Sequence, residues 1–422
     1  MRDLDVLSLQ NRQYHTLQSL AIKTMKYTLF FVMSCLCIVQ LNANFEISTL
    51  GNKTYTGNII KFDKNRQQIS FSTTGNQVVN IFCQDIIKIE NTASLTKVNG
   101  TEKIVLSDSS VLYGKITDGS SQAIGVQTNL LEFKDIDLMY IKDIYFDGSA
   151  TQGPANSSEN DVLYFKSGDV MRGIIEQFGQ DFVEIEHEQL GKRKELFSKL
   201  NRVSFAALEP LEKQEFSTNI VGFDNSNLSG NIEDINGGII SLKTVMQDTL
   251  RIPLSKVRFM FFKNGRFVYV SDLPEKKLRT RYVPYFPNMK IDNVVKRDQS
   301  YGGKPLRIRG QRFFKGLGVI SKTEINLRLN GKFKKFRCYA GVDDEIAERY
   351  KKQSNFLGGS VVFRILLDGK TAYQSNIVYH FSKPISIDLN VANKNSMTLV
   401  VDFGDNAHVN DYANWGDAIL VR

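Results

Sequence analysis

A short glycine-centred motif recurs four times in the first part of the chain. The glycines are 57, 59 and 57 residues apart, and a fixed period of this kind is typical of a repeated structural unit. The sequence therefore predicts four copies of one small unit rather than a single large core. The four copies of the motif are Gly57-Asn58-Ile59, Gly114-Lys115-Ile116, Gly173-Ile174-Ile175 and Gly230-Asn231-Ile232.

The residues around each glycine alternate between apolar and polar types. Short alternating segments are separated by polar turns, and each copy closes on an apolar motif such as Ile86-Ile87-Lys88-Ile89. This pattern predicts short antiparallel strands. A glycine inside a strand leaves room where the sheet bends sharply. We predict small bent sheets that loosely resemble Sm-like or SH3-like barrels, in which the glycines shape the sheet and contact no ligand.

Changes in composition predict the domain boundaries. Residues 149–161 are rich in small and polar side chains and indicate a flexible linker, so we expect the repeats to group as two pairs. A chain of 422 residues agrees with several domains. The predicted order is an N-terminal extension and signal peptide at 1–43, β repeats one and two at 44–148, the linker at 149–161, β repeats three and four at 162–265, and a β-sandwich at 266–422.

The N-terminal region has the three parts of a secretory signal. Lys26 follows Met25, an apolar run occupies 27–41, and Ala43 supplies a small residue at the exit. The run is too short for a comfortable membrane span. We therefore predict export to the periplasm, the cell surface or the medium, with no membrane span after cleavage. Met1 and Met25 are alternative translation starts, and the sequence alone does not decide between them.

The distribution of charge limits the class of binding partner, and the cysteine spacing indicates the state of the thiols. The formal net charge is +9, but no block of five Lys or Arg occurs. A solvated basic face or an anionic polysaccharide explains the excess better than nucleic acid, because aromatic and basic residues do not interleave. Cys83 and Cys338 fall in different predicted domains and have no metal-ligand spacing, so we expect buried thiols, with a disulfide as the alternative.

Five sequence blocks mark the C-terminal region. Together they resemble the NPCBM family of carbohydrate-binding modules, and this resemblance implies a galactose-binding-like jelly-roll sandwich that holds a glycan in its loops. Alternating apolar segments at 325–329, 333–339, 361–367, 385–389 and 397–402 agree with such an all-β fold. The blocks are Gly316-Leu317-Gly318-Val319-Ile320-Ser321, Phe336-Arg337-Cys338-Tyr339-Ala340-Gly341-Val342-Asp343-Asp344, Gly359-Ser360-Val361-Val362-Phe363, Leu367-Asp368-Gly369-Lys370, and Asp402-Phe403-Gly404-Asp405 followed by Asp411-Tyr412-Ala413-Asn414-Trp415.

The sequence departs from the family pattern at two places. Ile320 stands where the family has His, and 411–415 differs from the family box D-H-A-D-W at Tyr412 and Asn414. Sandwiches of this kind place recognition in loops at one end of the sheets. We therefore expect recognition in the loops 318–323, 342–345 and 405–415. The predicted ligand-binding residues are Asp343, Asp344, Asp411, Tyr412, Asn414 and Trp415.

Grouped oxygen ligands suggest a cation. Asp343, Asp405 and Asp411 are the predicted ligands of a calcium ion, which prefers carboxylate and amide oxygens. The alternative is that Asp343 and Asp344 bond to backbone amides of a turn. Trp415, the only Trp, suits a core anchor better than a platform for sugar stacking.

The sequence favours binding over catalysis. It has no Gly-x-Ser-x-Gly or His-Glu-x-x-His motif, and its four His are scattered. We predict an exported, non-catalytic protein whose partner is a glycan or polysaccharide. The alternative is a cell-envelope scaffold whose repeats bind another protein and whose sandwich has lost sugar affinity, as the departure at Ile320 suggests.

Overall fold

The fold is nearly all β, which confirms the predicted fold class. The computed structural model describes residues 45–93, 102–146, 159–206, 217–263, 265–286, 291–352 and 358–422. The predicted signal peptide and most of the predicted linker lie outside the described residues. The chain divides into two compact units, one ending at Phe261 and the other beginning at Phe262.

The described residues of the first unit form twenty strands in four groups of five. In each group a single 3-10 turn joins the fourth strand to the fifth. The strands of the first two groups are β1 (Phe45–Thr49), β2 (Thr54–Asp63), β3 (Gln68–Thr73), β4 (Val78–Phe82), β5 (Ile86–Asn91), β6 (Glu102–Leu106), β7 (Val111–Gly119), β8 (Ala123–Thr128), β9 (Glu132–Asp137) and β10 (Ile141–Tyr145). Those of the last two are β11 (Asp161–Phe165), β12 (Val170–Phe178), β13 (Phe182–His187), β14 (Gly191–Leu196), β15 (Leu200–Ser204), β16 (Thr218–Gly222), β17 (Asn227–Asn236), β18 (Ile239–Lys243), β19 (Thr249–Pro253) and β20 (Val257–Phe262).

Every group has the same internal topology. Its first four strands form an antiparallel meander, and the fifth strand returns to pair with the first, as β5 does with β1. Alternate side chains point inwards, so Ile47, Ile69 and Ile86 are completely buried in the first group. The five strands of a repeat therefore form one sheet, in the order fourth-third-second-first-fifth, over a small apolar core. The likeness to Sm-like or SH3-like barrels stays a prediction.

The repeated glycines lie where the second strand changes partner. Gly57 pairs with Phe45 on one side and with Thr73 on the other. A Cβ atom at Gly57 would lie 1.9 Å from the carbonyl oxygen of Ser72. The prediction that these glycines shape the bend is therefore confirmed. A Cβ atom at each equivalent glycine would also lie close to a facing carbonyl oxygen: 2.5 Å from Gln127 O at Gly114, 2.2 Å from Glu186 O at Gly173 and 2.7 Å from Lys243 O at Gly230.

The grouping of the repeats differs from the predicted pairs one–two and three–four. The fifth strands β10 and β15 pair with each other, which joins repeats two and three. Strands β5 and β20 pair in turn, which joins repeats one and four. A buried ion pair between Asp143 and Arg202, 2.8 Å apart, lies on the β10–β15 seam. The fifth strands therefore join repeats that the linker composition places in different pairs, and the predicted domain boundaries stay a prediction.

The second unit is a sandwich of two antiparallel sheets. One has the order β23-β26-β34-β28-β32 with β21 on β34, and the other has β22-β27-β33-β29-β30 with β31 on β29. The elements are β21 (Phe267–Tyr269), β22 (Leu278–Tyr282), β23 (Val295–Arg297), the hairpin strands β24 (Arg307–Ile308) and β25 (Gln311–Arg312), β26 (Gly316–Ile320), β27 (Thr323–Arg328), β28 (Lys335–Val342), α1 (Asp344–Lys352), β29 (Ser360–Leu367), β30 (Lys370–Gln374), β31 (Val378–Tyr379), β32 (Ile385–Asn390), β33 (Ser396–Phe403) and β34 (Tyr412–Val421).

The sandwich core is continuous and contains the single Trp. The ring of Trp415 lies edge-to-face on Phe363, with centroids 4.9 Å apart. Cys338 is a free, buried thiol, as is Cys83 in the first unit. Helix α1, which follows β28, has nine residues. No helix in the part of the chain that the structure describes is long and apolar enough to cross a membrane.

Replacing a glycine at the bend tests this account of the repeats. We expect Gly57→Ala to lower the free energy of unfolding by about 2 kcal/mol, because the new methyl group forces the facing backbone apart. Gly51→Ala is the matched control in the same repeat, since a Cβ atom at Gly51 would lie 3.9 Å from the Thr49 hydroxyl oxygen, at an ordinary contact distance. Urea unfolding of both variants measures the difference, and equal midpoints would contradict the role of Gly57.

Candidate functional site

Most of the predicted site residues lie at one end of the sandwich. The pairs Ile320–Tyr412, Val342–Ala413 and Val361–Phe403 bring the termini of five strands to this end. We call it the loop end, defined by residues 283–286, 321–322, 376–382 and 404–411. The predicted loops are shorter than expected, because 318–320 and 412–415 belong to β26 and β34.

Asp411 is buried where β34 begins. Its carboxylate accepts a hydrogen bond from the Ser321 hydroxyl at 2.5 Å and another from the Ser360 backbone N–H at 3.0 Å. Burial, with a smaller contribution from the nearby charge of Asp405, raises the pKa of Asp411 to about 7. The carboxylate therefore ties the start of β34 to the β26–β27 turn and to β29.

Asp343 makes a second tie. It accepts hydrogen bonds from the Glu345 N–H at 2.8 Å, which caps α1, and from the Arg307 N–H at 3.2 Å. The side-chain amide of the fully buried Asn414 donates to the same carboxylate. Burial raises the pKa of Asp343 to about 6. Asp343 and Asn414 thus join α1, the β24 hairpin and β34.

The remaining predicted contacts divide between structural and accessible positions. Asp344 accepts hydrogen bonds from the backbone N–H groups of Arg309 at 2.6 Å and Gly310 at 2.7 Å, so the alternative of a turn-binding carboxylate holds. Trp415 is completely buried and presents no ring face to solvent, which corrects its place among the ligand-binding residues. Tyr412 is partly exposed and lies edge-to-face on Tyr301.

The predicted calcium ligands do not converge. Asp405 and Asp411 both contact Ser360, whereas the oxygens of Asp343 are bonded to Arg307, Glu345 and Asn414. Within the described ranges, no cluster of three or more His, Cys, Asp or Glu side chains is placed to hold a metal ion. This arrangement does not fit the predicted calcium site.

Exposed aromatic side chains surround the loop end. Tyr285 stacks on the imidazole of His408 with centroids 5.4 Å apart and an angle of 26° between the ring planes. Phe286 meets both of these rings edge-on. Tyr285 is 49 % exposed and Phe286 is 56 % exposed, so both rings keep free surface. We call Tyr285, Phe286 and His408 the first aromatic cluster.

A second aromatic cluster is formed by Tyr379, the last residue of β31, and Phe381, on the turn that follows. The two rings are parallel, with centroids 5.2 Å apart, and Phe381 is 57 % exposed. The Tyr379 hydroxyl donates to Asp405 at 2.8 Å, and the Ser360 hydroxyl lies 2.7 Å from the other oxygen of that carboxylate. These hydrogen bonds lower the pKa of Asp405. The loop 404–411 therefore links the second cluster, through Asp405, to the first, through His408.

The sequence contains only a weak indication that these aromatic residues are exposed in loops. Pro284 and Pro287 flank Tyr285 and Phe286, and Pro384 follows the turn that carries Phe381. Proline is disfavoured inside strands, so an aromatic beside it is often displayed in a loop. The family blocks do not include these positions, and three separate segments supply them.

Comparison with known families identifies the sandwich. Residues 267–421 match the family described as NPCBM/NEW2 domain. The C-terminal sandwich is therefore an NPCBM domain, which confirms the resemblance and supports its class as a carbohydrate-binding module. No curated protein matches the chain.

Solved structures similar to the chain include three with CBM51 modules. The CBM51 of Clostridium perfringens GH95, in complex with methyl-galactose, is 25 % identical, covers 37 % of this chain and 99 % of its own, and has a TM-score of 0.30. The tandem CBM51 modules of Sp3GH98, a family 98 glycoside hydrolase from Streptococcus pneumoniae, are 14 % identical over 89 % of this chain and 99 % of theirs, with a TM-score of 0.30. CBM51-2 with INT domains of Clostridium perfringens ZmpB, in complex with GlcNAc, is 18 % identical over 57 % of this chain and 43 % of its own, with a TM-score of 0.32.

The raised pKa of Asp411 predicts how the stability of the sandwich depends on pH. A carboxyl that holds its proton more tightly in the folded state favours folding at low pH and loses that contribution as pH rises from about 4 to about 7. We expect the free energy of unfolding to fall across this range by up to about 4 kcal/mol for this group.

Asp411→Asn should flatten that profile, because the amide does not titrate. Its oxygen can still accept from the Ser360 N–H, while its NH2 group can donate to the Ser321 hydroxyl oxygen. Unfolding followed by the fluorescence of Trp415, the only Trp, reports the sandwich selectively. The exposed Asp292→Asn is the control and should leave the profile unchanged. An identical pH profile in Asp411→Asn and the unmodified protein would contradict the assignment.

Proposed function

We propose that the protein is an exported, non-catalytic carbohydrate-binding protein that holds a glycan at the loop end of its NPCBM sandwich. The observation that carries this proposal is the pair of exposed aromatic clusters that loop 404–411 contacts through His408 and Asp405. The family of the sandwich supports the class of ligand. The signal-like sequence at 25–43 supports export. The lack of known catalytic motifs in the sequence supports a non-catalytic role.

Sugar chemistry explains why such a surface suits a glycan. A pyranose ring has one face of C–H groups and a rim of hydroxyls, so it packs on aromatic faces and hydrogen-bonds at its edge. Phe286, which contacts His408 of the loop, and Phe381, which stacks on Tyr379, both offer exposed ring surface. Two platforms of this kind would position the apolar faces of a glycan and leave its hydroxyls directed at the loop.

Asp405 provides the matching polar group. The hydroxyls of Ser360 and Tyr379 donate to its carboxylate and lower its pKa, so the group is ionised at neutral pH. An ionised carboxylate only accepts hydrogen bonds, which suits a sugar hydroxyl as donor. Asp405 is exposed, whereas Asp343 and Asp411 are buried and bonded within the protein. We therefore propose Asp405, predicted from the sequence as a calcium ligand, as a contact, and retain Tyr412 from the predicted ligand-binding residues.

A cell-envelope scaffold is the second candidate. Ile320, at the position of the family His, is 7 % exposed and supplies no polar contact at the loop end. If the sandwich has lost sugar affinity because this contact is missing, the repeats would be the part of the chain that binds a protein partner. Capture of one dominant protein by the full chain, together with no glycan binding, would favour this second function.

Removing the exposed rings tests the proposed glycan site. We expect Phe381→Ala and Phe286→Ala each to weaken binding of the best glycan by about tenfold, because one stacked ring is worth roughly 1–1.5 kcal/mol. Phe133→Ala is the matched control, since Phe133 is 50 % exposed but lies in the repeats. A glycan array that includes galactosides selects the ligand, and calorimetry measures the affinities.

The same measurements should be made with calcium and with a chelator, which tests the remaining prediction of a calcium cofactor. Equal affinities of all three variants and the unmodified protein would contradict the site. No bound glycan on the array under either condition would contradict the function itself.

A further inference from the structure

The fourth strand of each repeat has one side without a strand partner in the described part of the chain. β4 pairs with β3, while the next strand, β5, has both of its edges occupied by β1 and β20. The equivalent strands β9, β14 and β19 likewise pair with β8, β13 and β18. An open strand edge is a template for pairing with a further strand, and proteins commonly protect it with charges or proline.

Three of these four edges are protected and one is not. The central position of each fourth strand, three residues before its 3-10 turn, is Asn80 in β4, Asp135 in β9, Lys194 in β14 and Arg251 in β19. Strand β4 has the sequence Val-Val-Asn-Ile-Phe and carries no charge. Its outward side chains include Val78, which is 62 % exposed, and Phe82, which is 45 % exposed. β4 is thus the one fourth strand that lacks a charged residue.

The hydrogen bonds that flank β4 show which backbone groups face the open side. Gln77 O accepts from Thr73 N–H and Cys83 N–H donates to Gln67 O, both at 2.9 Å, so odd-numbered residues face β3. Because these directions alternate along an antiparallel strand, the N–H and C=O groups of Val78, Asn80 and Phe82 point to the open side.

We propose that β4 is a homodimerisation edge, where it pairs antiparallel with β4 of a second copy of this chain. Only one register matches all the outward groups, with Asn80 opposite Asn80 of the second copy and Val78 opposite Phe82 of the second copy. This register forms about six backbone hydrogen bonds. It also places a β-branched side chain opposite an aromatic one, which is a favourable cross-strand pair.

Two observations identify a second copy as the occupant. The chain already joins its own repeats by antiparallel pairing of equivalent strands, since β10 and β15 are the fifth strands of their repeats. The absence of charge also makes β4 compatible with itself, whereas self-pairing of β14 would oppose Lys194 with its own copy. The contact is small, so we expect a dissociation constant on the order of 10 µM.

Cysteine cross-linking tests the register. In a pair that exchanges two hydrogen bonds the Cα atoms lie about 5.5 Å apart, which is within disulfide range. The starting variant is the full chain with Cys35 and Cys37 changed to Ser. Its two remaining cysteines, Cys83 and Cys338, are buried and should not cross-link. We expect Asn80→Cys to form a disulfide-linked dimer with copper-phenanthroline. Lys194→Cys, at the same position of β14, and the starting variant itself should stay unlinked.

A charge substitution tests the energetics. By sedimentation, the full chain should be dimeric at about 100 µM, and Asn80→Lys should raise its dissociation constant at least about tenfold, because it places two like charges opposite each other. Lys194→Asn should leave the dissociation constant unchanged. A monomeric full chain at about 100 µM, a dimer indifferent to Asn80→Lys, or equal cross-linking through Lys194→Cys would each overturn the proposal.

Discussion

Two buried carboxylates hold the loop end of the sandwich together. Asp411 joins β34 to β29 and to the β26–β27 turn, and Asp343 joins α1 to the β24 hairpin and, through Asn414, to β34. A buried carboxylate is tolerated only when hydrogen bonds replace the water it loses. Because they span several strands, these bonds fix where the loops leave the sheets. The loops can then differ from those of other proteins without disturbing the core.

Buried residues support the loop end and exposed loop residues remain available, and this determines where a ligand can be recognised. Asp343, Asp411 and Asn414 of the family blocks are bonded inside the protein, and Trp415 is packed in its core. Accessible ring surface and an accessible carboxylate come from the loops instead, from Tyr285, Phe381 and Asp405. The motif therefore accounts for the fold, and the loops supply the surface on which ligand choice depends.

The sequence predicted the strands better than the site, for physical reasons. Alternation and a regular glycine period record local geometry, so the bends at Gly57 and its equivalents were predictable. A motif does not show whether a carboxylate such as Asp343 points inwards or outwards, so it was read as a ligand contact. The first aromatic cluster joins residues 285 and 408, which are distant in sequence, and no local pattern reveals such a contact. Pairing of β10 with β15 was missed for the same reason.

The central claim is that motif carboxylates support the loop end while the aromatic clusters and Asp405 contact the ligand. A crystal structure of the full chain soaked with its best-binding glycan tests this claim directly. The account predicts sugar density against loop 404–411, within contact distance of Phe381 or Tyr285. Density against Asp343 and Asn414, with both aromatic clusters left in solvent, would contradict it.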